Sequence, residues 1–158
     1  METTSPRLRS MQRAALEDPD AFWAGEVAHL PWFTPWESVF EWTPPTFRWF
    51  SGATTNLAYA CLDRHIATGA AGRAALIALR EDGRRDVLTY AQLLREVQRL
   101  AAALRAAGIG KGDRVTISMP TIAEAIALML ACVRVGAIHS VVFAGFGASA
   151  LADRIRLS

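Results

Sequence analysis

Strand and helix patterns alternate along the chain from Asn56 onward. The stretch "NLAYACLDRH" has helical spacing, with Leu57 and Cys61 on one side. The apolar run "AALIALR" predicts a strand, and the Asp82-Gly83 pair after it favours a tight hairpin into "DVLTY". This region therefore starts with a helix and a two-stranded hairpin.

The next part of the pattern predicts two helices and two further strands. Thr89 and Gln92 form a capping box for an amphipathic helix that ends at Gly108, and "DRVTIS" then predicts a strand. Thr121 and Glu124 form a second capping box, for a helix that runs to Val135 and is stopped by Gly136. The strand "AIHSVVFA" follows, then a glycine-containing turn and the helical stretch "SALADRIRL". Because "AIHSVVFA" is apolar on both faces, it belongs inside a parallel sheet covered by helices, and the order predicts an α/β fold.

The first 55 residues follow a different pattern, and we predict an N-terminal helix and then an irregular Trp/Pro-rich segment. All five tryptophans fall between Trp23 and Trp49, interleaved with four prolines. Proline removes a backbone donor, which disfavours a regular helix or a central strand. A stacking platform for nucleic acid would also need a positive groove. Arg48 is the one basic residue with a permanent charge between Arg13 and Arg64, so we expect the aromatic side chains to pack onto a domain surface.

Composition narrows the class of protein further. The formal charge of +2 is small and evenly spread, which argues against nucleic acid or a membrane surface as partner. Cys61 and Cys132 lack partners at metal-ligand spacing, so we predict two buried free thiols in a reducing compartment. The N-terminus has no apolar secretory core, and "AIALMLACV" is too short to span a bilayer. These features predict a soluble, cytoplasmic protein.

The sequence by itself contains no recognisable catalytic constellation. The histidines, His29, His65 and His139, are widely separated, and we interpret them as structural. The stretch "GIGKGD" follows a helix and precedes a strand, the reverse of a phosphate loop, so we interpret it as a helix stop and turn. Gly145, Gly147 and Ala150 fit the G-x-G-x-x-A spacing of a dinucleotide-binding turn, although the confirming acidic residue would lie beyond residue 158. A dinucleotide-binding module therefore stays open as one alternative, and a non-catalytic interaction protein as another.

Two long stretches resemble the N-terminal part of AMP-forming acyl-CoA synthetases, closest to the acetyl-CoA synthetases. They are "PWFTPWESVFEWTPPTFRWFSGATTNLAYACLDRH" and "LTYAQLLREVQRLAAALRAAGIGKGDRVTISMPTIAEAIALMLACVRVGAIHSVVFAGFGASALADRI". The resemblance implies that residues 1–55 precede the first part of the large N-terminal adenylation domain, residues 56–158. It also implies that Phe143, Ala144 and Gly145 lie beside a coenzyme A site. We expect that Ala144 and Gly147 depart from glycine and serine in some relatives.

The resemblance further implies the activity and cofactors of a parent enzyme. Such an enzyme uses ATP and Mg²⁺ to convert a carboxylate, here acetate or propionate, to an acyl-adenylate that coenzyme A then attacks. The family's phosphate loop, adenine and ribose contacts, coenzyme A arginines and catalytic lysine would all follow residue 158. We therefore expect an N-terminal fragment or truncated product, without catalytic or metal-ligating residues and inactive as a ligase on its own.

Overall fold

The computed structural model describes residues 5–157, and the backbone divides into two compact units between Thr55 and Asn56. The first unit begins with helices α1 (Pro6–Glu17) and α2 (Pro19–Val27). Both helices start in the same way: a proline occupies the first turn, and the side chain of Ser5 or Asp18 accepts a hydrogen bond from a backbone N–H. These caps satisfy donors that would otherwise lack a partner at each helix start.

The Trp/Pro-rich segment is more regular than predicted. Strands β1 (Ser38–Thr43) and β2 (Thr46–Ser51) form an antiparallel hairpin, and Trp23 lies in α2. Pro44 and Pro45 fall in the turn, joined by a cis peptide bond, where no ladder hydrogen bond is lost. The prediction of an irregular segment was wrong for residues 38–51, because Pro44 and Pro45 lie between the two strands and leave them intact. Residues 28–37, which include Pro31 and Pro35, are irregular as predicted.

The aromatic rings of this first unit pack on one another. Phe40 pairs with Trp49 across the hairpin with ring centroids 4.6 Å apart, and Trp42 stacks on Phe47. Cross-strand aromatic pairs of this kind stabilise a two-stranded sheet that has few other contacts.

The second unit opens with a helix whose buried side differs from the predicted one. A π-helical turn (Tyr59–Asp63) continues into α3 (Arg64–Ala67), and Ala58 and Leu62 are buried. Leu57 and Cys61 are exposed. Two adjacent apolar stripes share this helix, and packing selects the one that sequence spacing did not favour. The prediction that Cys61 is buried was therefore wrong, whereas Cys132 is a buried free thiol.

A hairpin and a long helix follow. Strands β3 (Ala74–Leu79) and β4 (Arg85–Thr89) pair antiparallel, and Gly83 adopts a φ of 81° in the turn, as the Asp-Gly pair predicted. Helix α4 (Tyr90–Ala106) carries the predicted capping box of Thr89 and Gln92. Its buried side chains lie on the predicted apolar face and pack against α5 and the first helix of this unit; they are Leu93, Val97 and Ala101.

Helix α5 (Ala123–Val135) connects two parallel strands, β5 (Arg114–Met119) and β6 (Ile138–Phe143). The predicted capping box of Thr121 with Glu124 was wrong. The helix begins one residue later than expected, Ile122 occupies the cap position, and its side chain cannot accept a hydrogen bond. The predicted stop at Gly136 is confirmed, with a φ of 82°.

Strand β6 is only partly covered, which differs from the prediction of a strand buried on both faces. Val142 is buried, but Val141 and Phe143 are 54% and 69% exposed. Within residues 5–157 β6 pairs with β5 alone, so one of its edges stays open. Helix α6 (Ala148–Leu157) follows the strand. The α/β class is confirmed, and no helix of the described residues is long and apolar enough to cross a membrane.

Candidate functional site

The turn after β6 is the centre of the candidate site. β6 ends at Phe143, four residues follow, and α6 begins at Ala148. The N–H of Phe146 donates to the carbonyl of Phe143 at 3.1 Å, and the N–H of Leu151 donates to Gly147 at 3.2 Å. The first hydrogen bond closes the turn, and the second belongs to the first turn of α6. The strand-to-helix connection is thus short, and residues 144–147 are exposed.

Gly145 allows a close approach of a side chain within this turn. A Cβ atom at this position would lie 2.4 Å from Cε1 of Phe143 and 3.1 Å from Cδ1 and Cζ. The ring of Phe143 therefore folds back over the glycine, and it contacts Phe146 edge-to-face at 5.8 Å. Any larger residue at 145 has to displace the ring. Because the ring of Phe143 is mostly exposed, it has room to move aside.

The turn lies at the carboxyl edge of the parallel pair. Phe143 and Met119, the last residues of the two strands, are register partners. The chain beyond Met119 starts α5, so two strand-to-helix connections meet at one edge. Ligands of open α/β sheets bind outside this edge.

A cleft of about 660 Å³ opens beside this edge. Its walls come from three segments of the second unit: the β3–β4 hairpin, residues 120–124 and residues 143–145. The three residues that the resemblance implied for a ligand site, Phe143, Ala144 and Gly145, line it. The structure thus brings the predicted site residues together in one concave surface.

Charged side chains of the hairpin form one rim of the cleft. Arg80 pairs with Asp86 and Arg84 with Asp82, each with a nitrogen–oxygen distance of 2.6 Å. Hydrogen bonding to Asp86, and then its charge, raise the pKa of Arg80. Hydrogen bonds from the backbone and side chain of Arg84 lower the pKa of Asp82. Each of these two arginines on the rim is thus paired with a carboxylate of the same hairpin.

The other sequence candidates do not converge on this cleft. The ring of His65 lies 4.9 Å from that of Tyr90, and His139 borders an apolar groove elsewhere in the unit. Residues 108–113 form the predicted helix stop and turn, in which Asp113 accepts a hydrogen bond from the N–H of Gly110 at 2.8 Å. Within residues 5–157 no group of three or more His, Cys, Asp or Glu side chains could hold a metal ion.

Sequence reasoning missed an ion pair that supports α5, the helix whose start lines the cleft. Both Nη atoms of Arg134 donate to the carboxylate of Asp63, at 2.7 and 2.9 Å. Nearby, Nδ2 of Asn56 donates to the carbonyl of Val133 at 3.0 Å. Because 71 residues separate Asp63 from Arg134, local spacing carries no signal for the pair.

Comparisons with known proteins cover nearly the whole chain. Two family patterns match consecutive segments, "Acetyl-coenzyme A synthetase N-terminus" over residues 8–61 and "AMP-binding enzyme" over residues 62–158. The chain is 51% identical to an acetyl-coenzyme A synthetase of Deinococcus radiodurans over 90% of its length, and 48% identical to one of Gemmatimonas aurantiaca over 94%. A solved structure of acetoacetyl-CoA synthetase from Streptomyces lividans superposes with a TM-score of 0.83 over 91% of the chain, at 33% identity.

These relatives are much longer than the chain. It spans 22% of the Deinococcus protein, 23% of the Gemmatimonas protein and 22% of the Streptomyces structure. The similarity therefore concerns one part of each of them.

Proposed function

Because the chain belongs to the AMP-binding enzyme family and resembles the N-terminal part of acetyl-CoA synthetases, we propose that it contributes to an AMP-forming acyl-CoA synthetase. The substrate of that enzyme would be a short-chain carboxylate, acetate or propionate. Relatives that are named for acetyl-CoA synthesis support this choice. The reaction and partners below belong to the proposed whole enzyme.

The proposed reaction has two steps. A carboxylate oxygen attacks the α-phosphorus of ATP, the bond to the β-phosphate oxygen breaks, and acyl-AMP and pyrophosphate form. The thiol of coenzyme A then attacks the acyl carbon, the bond to the AMP oxygen breaks, and the thiol proton is released to solvent. Mg²⁺ would supply charge neutralisation on the phosphates. None of the described residues forms a metal site, so we assign Mg²⁺ and ATP to no side chain of this chain.

The observation that carries the proposal is the position of residues 143–145. Phe143 is the last residue of a parallel strand, residues 144 and 145 follow it, and all three line the cleft. We propose that Phe143, Ala144 and Gly145 contact coenzyme A there. The ring of Phe143 fills the space that a side chain at Gly145 would take, and the exposed face of this ring offers an apolar surface to a ligand. Ala144 adds one methyl group to this wall.

The 158-residue chain alone is proposed to be inactive. Transfer of the adenylyl group needs donors and a metal placed around the phosphates. The arginines on the cleft rim already pair with carboxylates. We expect the pure chain to show no acetate-dependent exchange of pyrophosphate into ATP, and an exchange rate above the buffer blank would contradict this statement.

A chimera tests the proposed function directly. Residues 8–158 would replace the matching segment of the Deinococcus enzyme, which is 51% identical. We expect the folded chimera to form acetyl-CoA from acetate, ATP and coenzyme A within about tenfold of the parent rate, which corresponds to about 1.4 kcal/mol in the barrier. A chimera with the parent's circular dichroism and melting temperature but no product would overturn the proposal.

The two alternatives are weaker on these observations. The G-x-G-x-x-A turn follows β6, the second strand of its parallel pair, whereas the dinucleotide fingerprint opens on the first βα turn. The comparisons give no support to a dinucleotide-binding module. If the chain were a non-catalytic interaction protein, the chimera would fold but form no acetyl-CoA. The same experiment therefore separates this hypothesis from the proposed ligase.

A further inference from the structure

We draw no further inference here: the strongest candidate, the apolar groove of about 390 Å³ between the helix that contains Cys61, the start of α4, helix α5 and His139 of β6, carries nothing because no feature of the structure shows what covers it.

Discussion

Removing the charge of Asp63 tests how the second unit is held together. The pair with Arg134 is bidentate, and the two side chains are only 21% and 25% exposed. Exposed pairs contribute about 0–1 kcal/mol, whereas breaking a fully buried pair costs about 3–5 kcal/mol. Because this pair is largely but not fully buried, we expect Asp63→Asn to weaken local stability by about 2 kcal/mol, between those limits.

Hydrogen–deuterium exchange with mass spectrometry measures this effect where it occurs. A loss of about 2 kcal/mol corresponds to roughly 30-fold faster exchange, since each 1.4 kcal/mol is a factor of ten. The increase should appear in peptides from residues 56–67 and from α5. Peptides from α1, which belongs to the other compact unit, provide an internal reference.

Glu96→Gln is the matched control, because Glu96 pairs with Arg99 on an exposed face where the side chains are 48% and 69% accessible. It should change exchange less than about threefold. The double variant Asp63→Asn with Arg134→Gln should lose less than the sum of the two single variants, since the charges are coupled. Equal exchange in Asp63→Asn and Glu96→Gln would refute the supporting role of the ion pair.

Three further predictions concern caps, thiols and a helix stop. Thr89→Ala should lower the free energy of unfolding by about 1 kcal/mol in urea titrations followed by circular dichroism, because Thr89 caps α4. Thr121→Ala should change it by less than about 0.5 kcal/mol, because Thr121 lies outside the cap of α5, and equal losses would contradict the cap assignment. Iodoacetamide at pH 8 should modify Cys61 in the native chain and Cys132 only after unfolding, because burial shields Cys132 and raises the pKa of its thiol. Equal labelling of the two cysteines in the native chain, measured by mass spectrometry, would show that Cys132 is not buried. Gly136→Ala should cost about 1–2 kcal/mol in the same urea titrations because its φ is 82°, and a neutral result would rule out the left-handed stop.

Local signals in the sequence predicted much of the fold. The Asp82-Gly83 hairpin, the capping box at Thr89 and the stop at Gly136 each depend on a few neighbouring residues, and each is present. Thr121 shows the limit of such signals. Its spacing to Glu124 fits a capping box, but the helix starts one residue later, with Ile122 at the cap position.

Burial depends on contacts between distant residues, so it was harder to predict. Leu57 and Cys61 form an apolar stripe as regular as that of Ala58 and Leu62, and only the packing of the second unit distinguishes the two. The exposure of Phe143 has a similar origin, because β6 has one strand neighbour in the described residues.

The candidate site shows the same division between local and distant signals. The sequence placed residues 143–145 in a strand-to-helix turn, and the resemblance added a ligand. Neither the sequence nor the resemblance indicated that Asp82 and Asp86 of the β3–β4 hairpin would lie on the rim of the same cleft. Long-range packing of the hairpin against α4 and α5 determines their position.

The most direct test of the central claim separates the two half-reactions in the chimera. Gly145→Ala should raise the KM for coenzyme A about tenfold or more, because the new methyl group displaces the ring of Phe143, while acetate-dependent pyrophosphate exchange stays within about twofold. Gly147→Ala is the control, because a Cβ there meets nothing within 4 Å. The account predicts a loss confined to the coenzyme A step in Gly145→Ala. An unchanged KM for coenzyme A, or an equal loss in pyrophosphate exchange, would contradict a role of this turn in binding coenzyme A.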